Sequence, residues 1–475
     1  MKSIGPLGLV LVCLLVTSHG RCKHEIHRGY RVLLEVPAAS AAGFIGRAVL
    51  METTAHTKEE GFAAALTVEA VGGRYSCALE ALLGDVRVWS SGHYSTFFTT
   101  DECVVELSHG GDLRLKGPDG RIGWRTGTSG QGVQKLKLLK NGNMILTDAM
   151  NRVKWQSFHF PTDVLLLGQR VAVATWLAAF PNRSDPNTFY SLEIEARRIA
   201  LYMNSGTLKY SYWNFRLAGG SNISFVELGS TGLGAFDETQ KMIGKISSTL
   251  PSGPIQFLAL RNETGNLGLY CYSKESNGFE ASFQALDATC DLPMACKPYS
   301  ICTFTNGCSC IGSVTARAEA AMVSGCSEGF PGGFCGGRKA AMVELGGVTS
   351  VLRDSGRVVN VSKERCSALC LADCRCLAAL SPSEEVAGGG LRDCFLYRSV
   401  VGVRQIPARS GLNYLLKVPM ESGDRRGRSS GPKKWVLEVV GVVDGAIISL
   451  VTAALACYVI WDRRRRILRA EGGDI

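Results

Sequence analysis

Length, composition and charge limit the possible classes of protein. The chain has 475 residues, of which 46% are hydrophobic, 55 are glycine and 15 are proline. This composition indicates several globular domains and excludes a largely disordered chain. The formal net charge is +10, but no long basic helix with interleaved aromatic residues occurs. The sequence therefore does not indicate a nucleic-acid-binding protein.

The N-terminus indicates secretion. A short apolar run, Leu7 to Val16, follows Lys2 and precedes Ser18-His19-Gly20. Residues 1–20 are predicted to be a signal peptide, because the apolar run is too short to span a membrane. Four N-glycosylation sequons agree with an extracellular chain; they begin at Asn182, Asn222, Asn262 and Asn360.

The cysteines favour disulfides over metal. Sixteen of the 18 cysteines lie outside the leader and the C-terminal hydrophobic segment. The densest cluster, Cys366 to Cys376, has no His partner and lacks Cys-x2-Cys spacing. In an oxidising compartment such cysteines form disulfides, so no metal or other cofactor is predicted. Cys77 and Cys103 are expected to pair within the first domain.

Residues 21–172 are predicted to form an all-β domain, because short apolar or alternating runs are separated by Gly, Asp and Asn turns. Asn141-Gly142-Asn143 marks a hairpin. Tryptophans recur at Trp89, Trp124 and Trp155, with spacings of 35 and 31 residues. This recurrence predicts three similar sheet units that each place one ring in a shared core. Residues 173–288 show similar runs and are predicted to form a second β lobe.

Two cysteine-rich segments follow. Residues 289–330 contain Cys290, Cys296, Cys302, Cys308 and Cys310, spaced by five, five, five and one residues. Spacing alone leaves their connectivity open. In residues 335–418, Ser362 is a good helix N-cap, and the four-residue spacing places Cys366 and Cys370 on one helix face.

The C-terminal segment predicts a single-pass membrane protein. Residues 419–435 form a basic stalk, 436–461 a hydrophobic span bounded by tryptophans, and 462–475 a short tail that begins with basic residues. With the signal peptide this predicts a type I protein of the plasma membrane with an extracellular ectodomain. Small residues every fourth position predict lateral association of two such helices: Gly441, Gly445, Ser449 and Ala453.

Several motifs carry a resemblance to known families. The stretch from Leu136 to Gln169, with Asn141-Gly142-Asn143 and Trp155-Gln156-Ser157-Phe158, resembles the closing segment of plant bulb-type (mannose-binding-type) lectin domains. Residues 173–288 resemble a degenerate second lectin-like lobe, 289–330 an EGF-like module, and 335–418 a PAN/apple domain. The order resembles the ectodomain of S-domain (S-locus glycoprotein-like) receptor kinases. The predicted tail is too short for a kinase domain.

The resemblance implies a mainly β fold with tandem β-prism lobes, a disulfide-rich EGF-like module, an α+β PAN module and one C-terminal transmembrane helix. It also implies the disulfides Cys290–Cys302, Cys296–Cys308, Cys366–Cys394 and Cys370–Cys376. Two further pairs are hypotheses: Cys310–Cys326 and Cys335–Cys374. Whether Cys22 and Cys271 join remains open.

The mannose motif of the lectin family is Gln-x-Asp-x-Asn-x-Val-x-Tyr, whose polar side chains face one way along a strand and bind sugar hydroxyls. Three stretches of this chain can be aligned with it, and none keeps the polar triad. The aligned positions are Leu139, Asn141, Asn143, Ile145 and Thr147; Ser108, Gly110, Asp112, Arg114 and Lys116; and Ile194, Ala196, Arg198, Ala200 and Tyr202. Asn141 and Asn143 are the candidate, degenerate sugar-binding residues, and a scaffold role is favoured because missing partners weaken a hydroxyl-binding site heavily.

No metalloprotease motif, nucleophile elbow or phosphate loop occurs, and no catalytic residue is predicted. The sequence predicts a non-enzymatic cell-surface receptor-like protein that recognises a protein or glycan ligand through its lectin and PAN modules. One alternative is a carbohydrate (mannose-type) lectin at the cell wall. Another is a structural wall-attachment protein, whose basic stalk would meet anionic polysaccharide.

Overall fold

The computed structural model describes residues 25–37, 43–53, 61–181, 188–217, 219–248, 254–311, 334–337, 339–353, 356–382, 392–407 and 412–420. The chain divides into two compact units, residues 1–419 and 420–475. All described residues except Met420 belong to the first unit. Strands dominate these residues, which confirms the prediction of a mainly β protein.

The first lobe, residues 25–156, contains thirteen strands in three antiparallel sheets. Sheet 1 has the order β3-β4-β5-β6 with β7 on β5, sheet 2 the order β10-β9-β8-β2, and sheet 3 the order β1-β11-β12-β13. The strands are β1 (Glu25–His27), β2 (Arg31–Glu35), β3 (Ile45–Glu52), β4 (Phe62–Val71), β5 (Arg74–Leu83), β6 (Val86–Ser90), β7 (Phe97–Thr99), β8 (Glu102–Leu107), β9 (Leu113–Lys116), β10 (Ile122–Arg125), β11 (Val133–Leu138), β12 (Met144–Asp148) and β13 (Val153–Gln156).

The second lobe, residues 164–284, repeats this topology with twelve strands. The three sheets are β16-β17-β18-β19 (sheet 4), β15-β20-β21-β22 (sheet 5) and β14-β23-β24-β25 (sheet 6). In both lobes the first three strands enter three different sheets, and three meanders then complete those sheets in reverse order. The strands are β14 (Val164–Leu166), β15 (Arg170–Ala172), β16 (Trp176–Ala179), β17 (Thr188–Ile194), β18 (Arg198–Ser205), β19 (Leu208–Arg216), β20 (Phe225–Gly229), β21 (Gly232–Phe236), β22 (Met242–Ser247), β23 (Ile255–Leu260), β24 (Leu267–Ser273) and β25 (Gly278–Gln284).

The described part of the C-terminal region, residues 289–419, holds two sheets and the helix α1 (Lys363–Ala372). Sheet 7 has the order β27-β26-β33-β29, so a hairpin of the first cysteine-rich segment pairs with strands of the second. Sheet 8 has the order β28-β34-β31-β32-β30. The strands are β26 (Ser300–Cys302), β27 (Cys308–Cys310), β28 (Ala340–Leu345), β29 (Val348–Ser350), β30 (Arg357–Val361), β31 (Ala378–Pro382), β32 (Arg392–Tyr397), β33 (Val403–Gln405) and β34 (Leu412–Pro419).

Helix α1 begins where the sequence predicts. The Ser362 hydroxyl accepts a hydrogen bond from the Arg365 amide at 3.3 Å, which confirms the predicted N-cap. Cys366 and Cys370 are both fully buried on one face of the helix. The helix ends on a buried lysine: the Lys417 ammonium donates to three main-chain carbonyls at 3.1–3.2 Å, those of Cys370, Leu371 and Asp373. These bonds satisfy carbonyls that a helix C-terminus leaves without partners.

Two large hydrophobic cores are separated by a single strand. Val164 and Leu166 of β14 pack into the core of the first lobe, whereas Leu165 between them packs into the core of the second lobe. This division follows from the two-residue period of a strand. The core of the second lobe continues into the C-terminal region through Tyr397 and Tyr414, while the first lobe shares none of the C-terminal residues.

Six disulfides are present among the described residues. They join Cys77–Cys103, Cys290–Cys302, Cys296–Cys308, Cys335–Cys374, Cys366–Cys394 and Cys370–Cys376. Cys326, the hypothetical partner of Cys310, lies outside the described residues, as does Cys22. Cys271 is a buried free thiol, and its sulfur lies 3.8 Å from the Glu280 carbonyl oxygen.

The hairpin at the centre of the lectin-like stretch is confirmed, with a different turn. The Gly142 amide donates to the Leu139 carbonyl at 2.9 Å, so the turn is centred on Lys140 and Asn141, and only Gly142 adopts positive φ, at 82°. A side chain at Gly142 would lie 2.5 Å from Phe62. Glycine is therefore required twice here, for its backbone conformation and for the close approach.

The glycines at 229, 232 and 234 lie at or beside a tight turn. Gly229 ends strand β20, and Gly232 and Gly234 belong to strand β21. The turn is confined to Ser230 and Thr231, and a Cβ at Gly234 would lie 2.8 Å from the Phe236 ring. Gly234 therefore makes room for a side chain of its own sheet, and Gly232, at a φ of 145°, makes room for the Ile246 main chain.

The predicted signal peptide, stalk, membrane span and tail lie outside the described residues, together with Gly441, Gly445, Ser449 and Ala453. Among the helices that the structure describes, none is both long and apolar enough to cross a membrane.

Candidate functional site

In the first stretch aligned with the mannose motif, the candidate side chains are hydrogen-bonded within the protein. Asn143 is 5% exposed, and its amide donates to the Gln156 side-chain oxygen at 2.8 Å. Its carbonyl oxygen accepts from the Ser157 hydroxyl at 3.2 Å and from the Phe158 amide at 3.3 Å. The Asn141 oxygen accepts from the Asn143 amide at 3.3 Å. Asn143 therefore holds the hairpin against the segment that follows it, whereas Asn141 bonds within the hairpin turn.

In the second stretch the polar side chains are also bonded within the protein. The Asp112 carboxylate is 4% exposed and accepts hydrogen bonds from the Thr126 hydroxyl and the Thr128 amide, both at 3.1 Å. Arg114, which occupies the motif position two residues later, pairs with Glu106 at 2.8 Å. The one acidic residue of this stretch is thus a turn-stabilising group.

The third stretch contains an internal ion pair. Arg198 contacts Glu195 at 2.8 Å, and the Tyr202 hydroxyl also donates to Glu195. Burial raises the pKa of Tyr202, and the neighbouring Glu195 carboxylate adds to this increase. Burial alone would raise the pKa of Glu195, but hydrogen bonds from Arg198 and Tyr202 outweigh it and lower that pKa. Arg198, Glu195 and Tyr202 of this stretch are therefore partners of one another.

The three stretches share one chemical property. Most of their buried polar atoms have protein partners that a sugar hydroxyl would have to displace. The exceptions are the Thr147 hydroxyl and the Arg114 Nε, which are buried without a hydrogen-bond partner among the described residues. Replacing an internal bond by a ligand bond leaves little net gain, because each unsatisfied buried group costs about 1–3 kcal/mol. These stretches are therefore suited to holding the sheets together.

An aromatic cleft lies beside these stretches, at the junction of the first lobe with the first strands of the second. Trp89, Trp124 and Trp155 come from sheets 1, 2 and 3, and their rings meet edge to face with centroids 5.9–6.0 Å apart. This confirms the predicted contribution of one tryptophan per sheet to a shared core. Phe160 stacks on Trp155 at 5.9 Å. The cleft has a volume of about 670 Å³.

The edge of the cleft is both apolar and accessible. Tyr94, Phe160 and Trp176 are 53%, 52% and 52% exposed. The Tyr94 hydroxyl donates to the Pro161 carbonyl at 2.9 Å. Desolvation raises the pKa of Tyr94 to about 12. Sequence reasoning missed this cleft; the available signal was the density of aromatic residues between positions 155 and 180.

A second, smaller cleft of about 420 Å³ lies between the two lobes. Phe257 and Tyr270 stack at 4.9 Å along one wall, and Asn262, one of the predicted glycosylation sites, lies at its edge. The other described sequons, at Asn222 and Asn360, are exposed, and Asn182 lies outside the described residues. No group of three His, Cys, Asp or Glu side chains could hold a metal ion within the part of the chain that the structure covers.

Comparison with known proteins agrees with a lectin-type chain. The family model described as D-mannose binding lectin matches residues 87–178. This range contains the Trp triad and the whole of the β11–β12 hairpin. Residues 87–178 are therefore similar in sequence to a lectin domain.

The chain is also similar to larger plant proteins. A PAN domain-containing protein of Arabidopsis thaliana is 27% identical over 389 residues, which cover 78% of this chain and 74% of that protein. A G-type lectin S-receptor-like serine/threonine-protein kinase of the same plant is 26% identical over 245 residues, covering 49% of this chain. The aligned residues span only 28% of that kinase.

Solved structures give the following matches. A monomeric monocot mannose-binding lectin from Gastrodia elata is 17% identical with a TM-score of 0.18, covering 28% of this chain and 96% of that one. A two-domain, fetuin-binding lectin from Scilla campanulata is 16% identical with a TM-score of 0.18, covering 42% and 86% of the two chains.

Proposed function

We propose that the protein is a non-enzymatic, cell-surface receptor-like protein that recognises a protein or glycan ligand without using the three mannose-type stretches. One observation carries the proposal: Asn143, Asp112 and Arg198 of those stretches are hydrogen-bonded or ion-paired to other groups of the folded chain. The lectin-family match and the similarity to receptor-like proteins support ligand recognition.

The proposed architecture follows the sequence analysis. Two β-prism lobes, an EGF-like module and a PAN module form the ectodomain, with glycans on Asn182, Asn222, Asn262 and Asn360. A helix over residues 436–461 anchors this ectodomain in the plasma membrane as a type I protein. Exposure of Asn222 and Asn360 supports the modification of these two residues.

A glycan array probed with the full chain tests the ligand class. We expect no selective binding to mannose-terminated glycans. We also expect the folded fraction of the Asn143→Ala variant to bind the same glycans as the wild-type chain. Asn222→Ala, which alters an exposed residue far along the sequence, is the matched control. Selective mannose binding that Asn143→Ala abolishes would overturn the proposal in favour of a mannose-type lectin.

Lateral association is proposed for the membrane helix, through Gly441, Gly445, Ser449 and Ala453. In a membrane two-hybrid assay, Gly441→Ile with Gly445→Ile should abolish self-association, because the larger side chains separate the helices. The double change Val442→Ile with Val443→Ile lies off the small-residue row and should leave the signal intact. An unchanged signal in the glycine variant would contradict helix association.

A further inference from the structure

The aromatic cleft has the chemistry of a binding site for an apolar body. It is walled by the Trp triad, Phe160, Tyr94 and Trp176, and three of these rings are about half exposed. Aromatic rings that remain accessible inside a concave wall gain from burial against a ligand, at about 25 cal/mol per Å² of apolar surface. A volume of about 670 Å³ lies within the range of small-molecule sites.

Three hydroxyls of the cleft lining have no hydrogen-bond partner among the described residues, those of Ser95, Thr162 and Thr175. Thr162 is 2% exposed and lies in the cleft wall, and its hydroxyl has no hydrogen-bond partner among the residues that the structure describes. A buried hydroxyl without a partner is costly, so a ligand that bonds to it is favoured. Ser95 and Thr175 also line the cleft, and neither side chain hydrogen-bonds within the described part of the chain.

The charge of the cleft is one-sided. Arg125 is its only lysine or arginine, no Asp or Glu lies among its lining residues, and the Arg125 side chain makes no ion pair with described residues. A guanidinium presents a planar fork that bonds two carboxylate oxygens at once. The Arg125 end of the cleft therefore favours one negative charge, whereas at the Tyr94 end the nearby Asp163 carboxylate helps to raise the pKa of that tyrosine.

The balance of these groups discriminates between ligand classes. A buried pyranose ring presents several hydroxyls, and each of them needs a partner to avoid a desolvation penalty. The Ser90, Ser91, Thr126 and Tyr94 hydroxyls and the His159 ring are already hydrogen-bonded within the protein. The groups left for a ligand are one buried hydroxyl, two hydroxyls at the edge and one guanidinium, against six aromatic rings. An apolar molecule with a single acidic group satisfies this set, whereas a saccharide leaves its own hydroxyls without partners.

We propose that the aromatic cleft binds a small amphiphilic acid, with an aromatic or alicyclic body against Trp176 and Phe160 and a carboxylate at Arg125. This site is independent of the three mannose-type stretches and of any protein ligand. Trp176 supplies apolar contact, Arg125 supplies the charge, and Thr162 supplies a hydrogen bond inside the cleft.

The test uses 2-naphthoate as the probe, with the uncharged 2-naphthamide as its isostere. Isothermal titration calorimetry is performed on the full chain in lipid nanodiscs, with empty nanodiscs subtracted. We expect the wild-type chain to bind naphthoate about tenfold more tightly than naphthamide, and this preference to fall at high salt. Methyl α-D-mannopyranoside should not displace naphthoate.

Single variants assign the two parts of the site. Arg125→Gln should weaken naphthoate about tenfold and leave naphthamide unchanged, because it removes only the charge. Trp176→Ala should weaken both probes by about the same factor. Thr162→Val keeps the shape of the wall and should weaken both probes less. The matched controls are Arg47→Gln, an exposed arginine elsewhere on the first lobe, and Phe304→Ala, which is 67% exposed in the wild type.

Three outcomes would overturn the proposal. They are absence of naphthoate binding to the wild-type chain, equal affinity for the acid and the amide, and naphthoate binding that Arg125→Gln and Trp176→Ala leave unchanged. Displacement of naphthoate by the mannoside would instead assign the cleft to saccharides. None of these results depends on the identity of the receptor ligand, so the proposed function is tested separately.

Discussion

The two lobes have the same strand topology and differ in the aromatic side chains that occupy their interiors. In the first lobe each sheet contributes one tryptophan to a triad that leaves an open cleft. In the second lobe only one of the three corresponding last strands carries a tryptophan, and Tyr190, Tyr210 and Tyr212 are buried instead. The Arg398 amide donates to the Tyr210 hydroxyl at 3.2 Å, which joins this lobe to the C-terminal region.

This difference shows how one topology serves two purposes. The core of the second lobe is continuous with the C-terminal core, so that lobe is a support that fixes the cysteine-rich region. The first lobe has a core without C-terminal residues, and its aromatic wall stays accessible. Repetition of a fold therefore does not imply repetition of a binding site.

The shared core can be broken at Tyr397, and this is the largest expected effect. Tyr397 is 1% exposed, packs near Tyr210 and Tyr414, and donates to the Leu352 carbonyl at 2.9 Å. Tyr397→Ala should cost about 3–5 kcal/mol, as other aromatic deletions from cores do. Hydrogen-exchange mass spectrometry should show protection lost in the second lobe and C-terminal region together, with a smaller change in the first lobe.

Tyr397→Phe is the matched control, because it removes only the hydroxyl and should cost about 1 kcal/mol. Equal loss of protection in both lobes after Tyr397→Ala would show that the two cores unfold as one.

The first lobe can be weakened selectively through its disulfide. Cys77 and Cys103 are 26 residues apart and join β5 to β8. Replacing both by Ala should destabilise this lobe by about 3 kcal/mol in the chain-entropy description. Differential scanning calorimetry should show one lowered transition.

Cys271→Ala, a deletion of the free buried thiol of the second lobe, serves as the comparison and should cost about 1 kcal/mol. The interpretation fails if the disulfide variant lowers the transition of the second lobe by the same amount.

The hairpin of the first lobe depends on Gly142. Gly142→Ala adds a Cβ within 2.7 Å of both Phe62 and Leu166 at a φ of 82°, and should cost about 2 kcal/mol or more. Gly130→Ala has a similar φ of 78° but meets no atom within 4 Å. Chemical denaturation gives the loss in free energy of unfolding for each variant, and the difference between the two losses isolates the packing contribution. Equal losses would show that packing at Gly142 contributes nothing.

The smallest effect concerns acid stability. Burial alone would raise the pKa of Asp148, but hydrogen bonds from the Arg152 and Met150 amides and the Arg152 guanidinium lower it to about 2. The folded pKa lies below the unfolded value of about 3.9. The stabilisation is therefore present above about pH 4 and is lost as pH falls toward about 2.

Asp148→Asn should reduce the stability of the first lobe at neutral pH, and the difference from wild type should disappear near pH 2. Asp119→Asn, in an exposed turn, is the control. Urea denaturation measures the free energy of unfolding of the wild-type chain and of Asp148→Asn. A difference between them that is as large at pH 2 as at neutral pH would contradict this assignment.

The sequence predicted the parts of the fold that local pattern determines. The Asn-Gly hairpin, the three tryptophans, the N-cap at Ser362 and the mainly β content all follow from short-range chemistry. Strand β5 shows what local pattern does not determine, because its Ala, Leu and Glu residues favour helices and pairing with β4, β6 and β7 overrides this preference.

The candidate site was predicted less well for a related reason. Asn141 and Asn143 carry the residue types of a sugar site, but Gln156 and Ser157, more than ten positions away, take up the Asn143 hydrogen bonds. The cleft needs side chains from three sheets and from the first strands of the second lobe. No local pattern specifies which distant partners meet, so neither result could be read from spacing.

The order in which strands enter the sheets also sets an order of assembly. Strand β3 pairs with β4 (Ile45 with Glu69), β2 with β8 (Arg31 with Glu106), and β1 with β11 (Glu25 with Lys137). Each earlier strand thus closes a longer loop, at a larger entropic cost. A chain that emerges from its N-terminus completes sheet 1 first, and the strand made earliest is the last to find its partner, in the first lobe and again in the second.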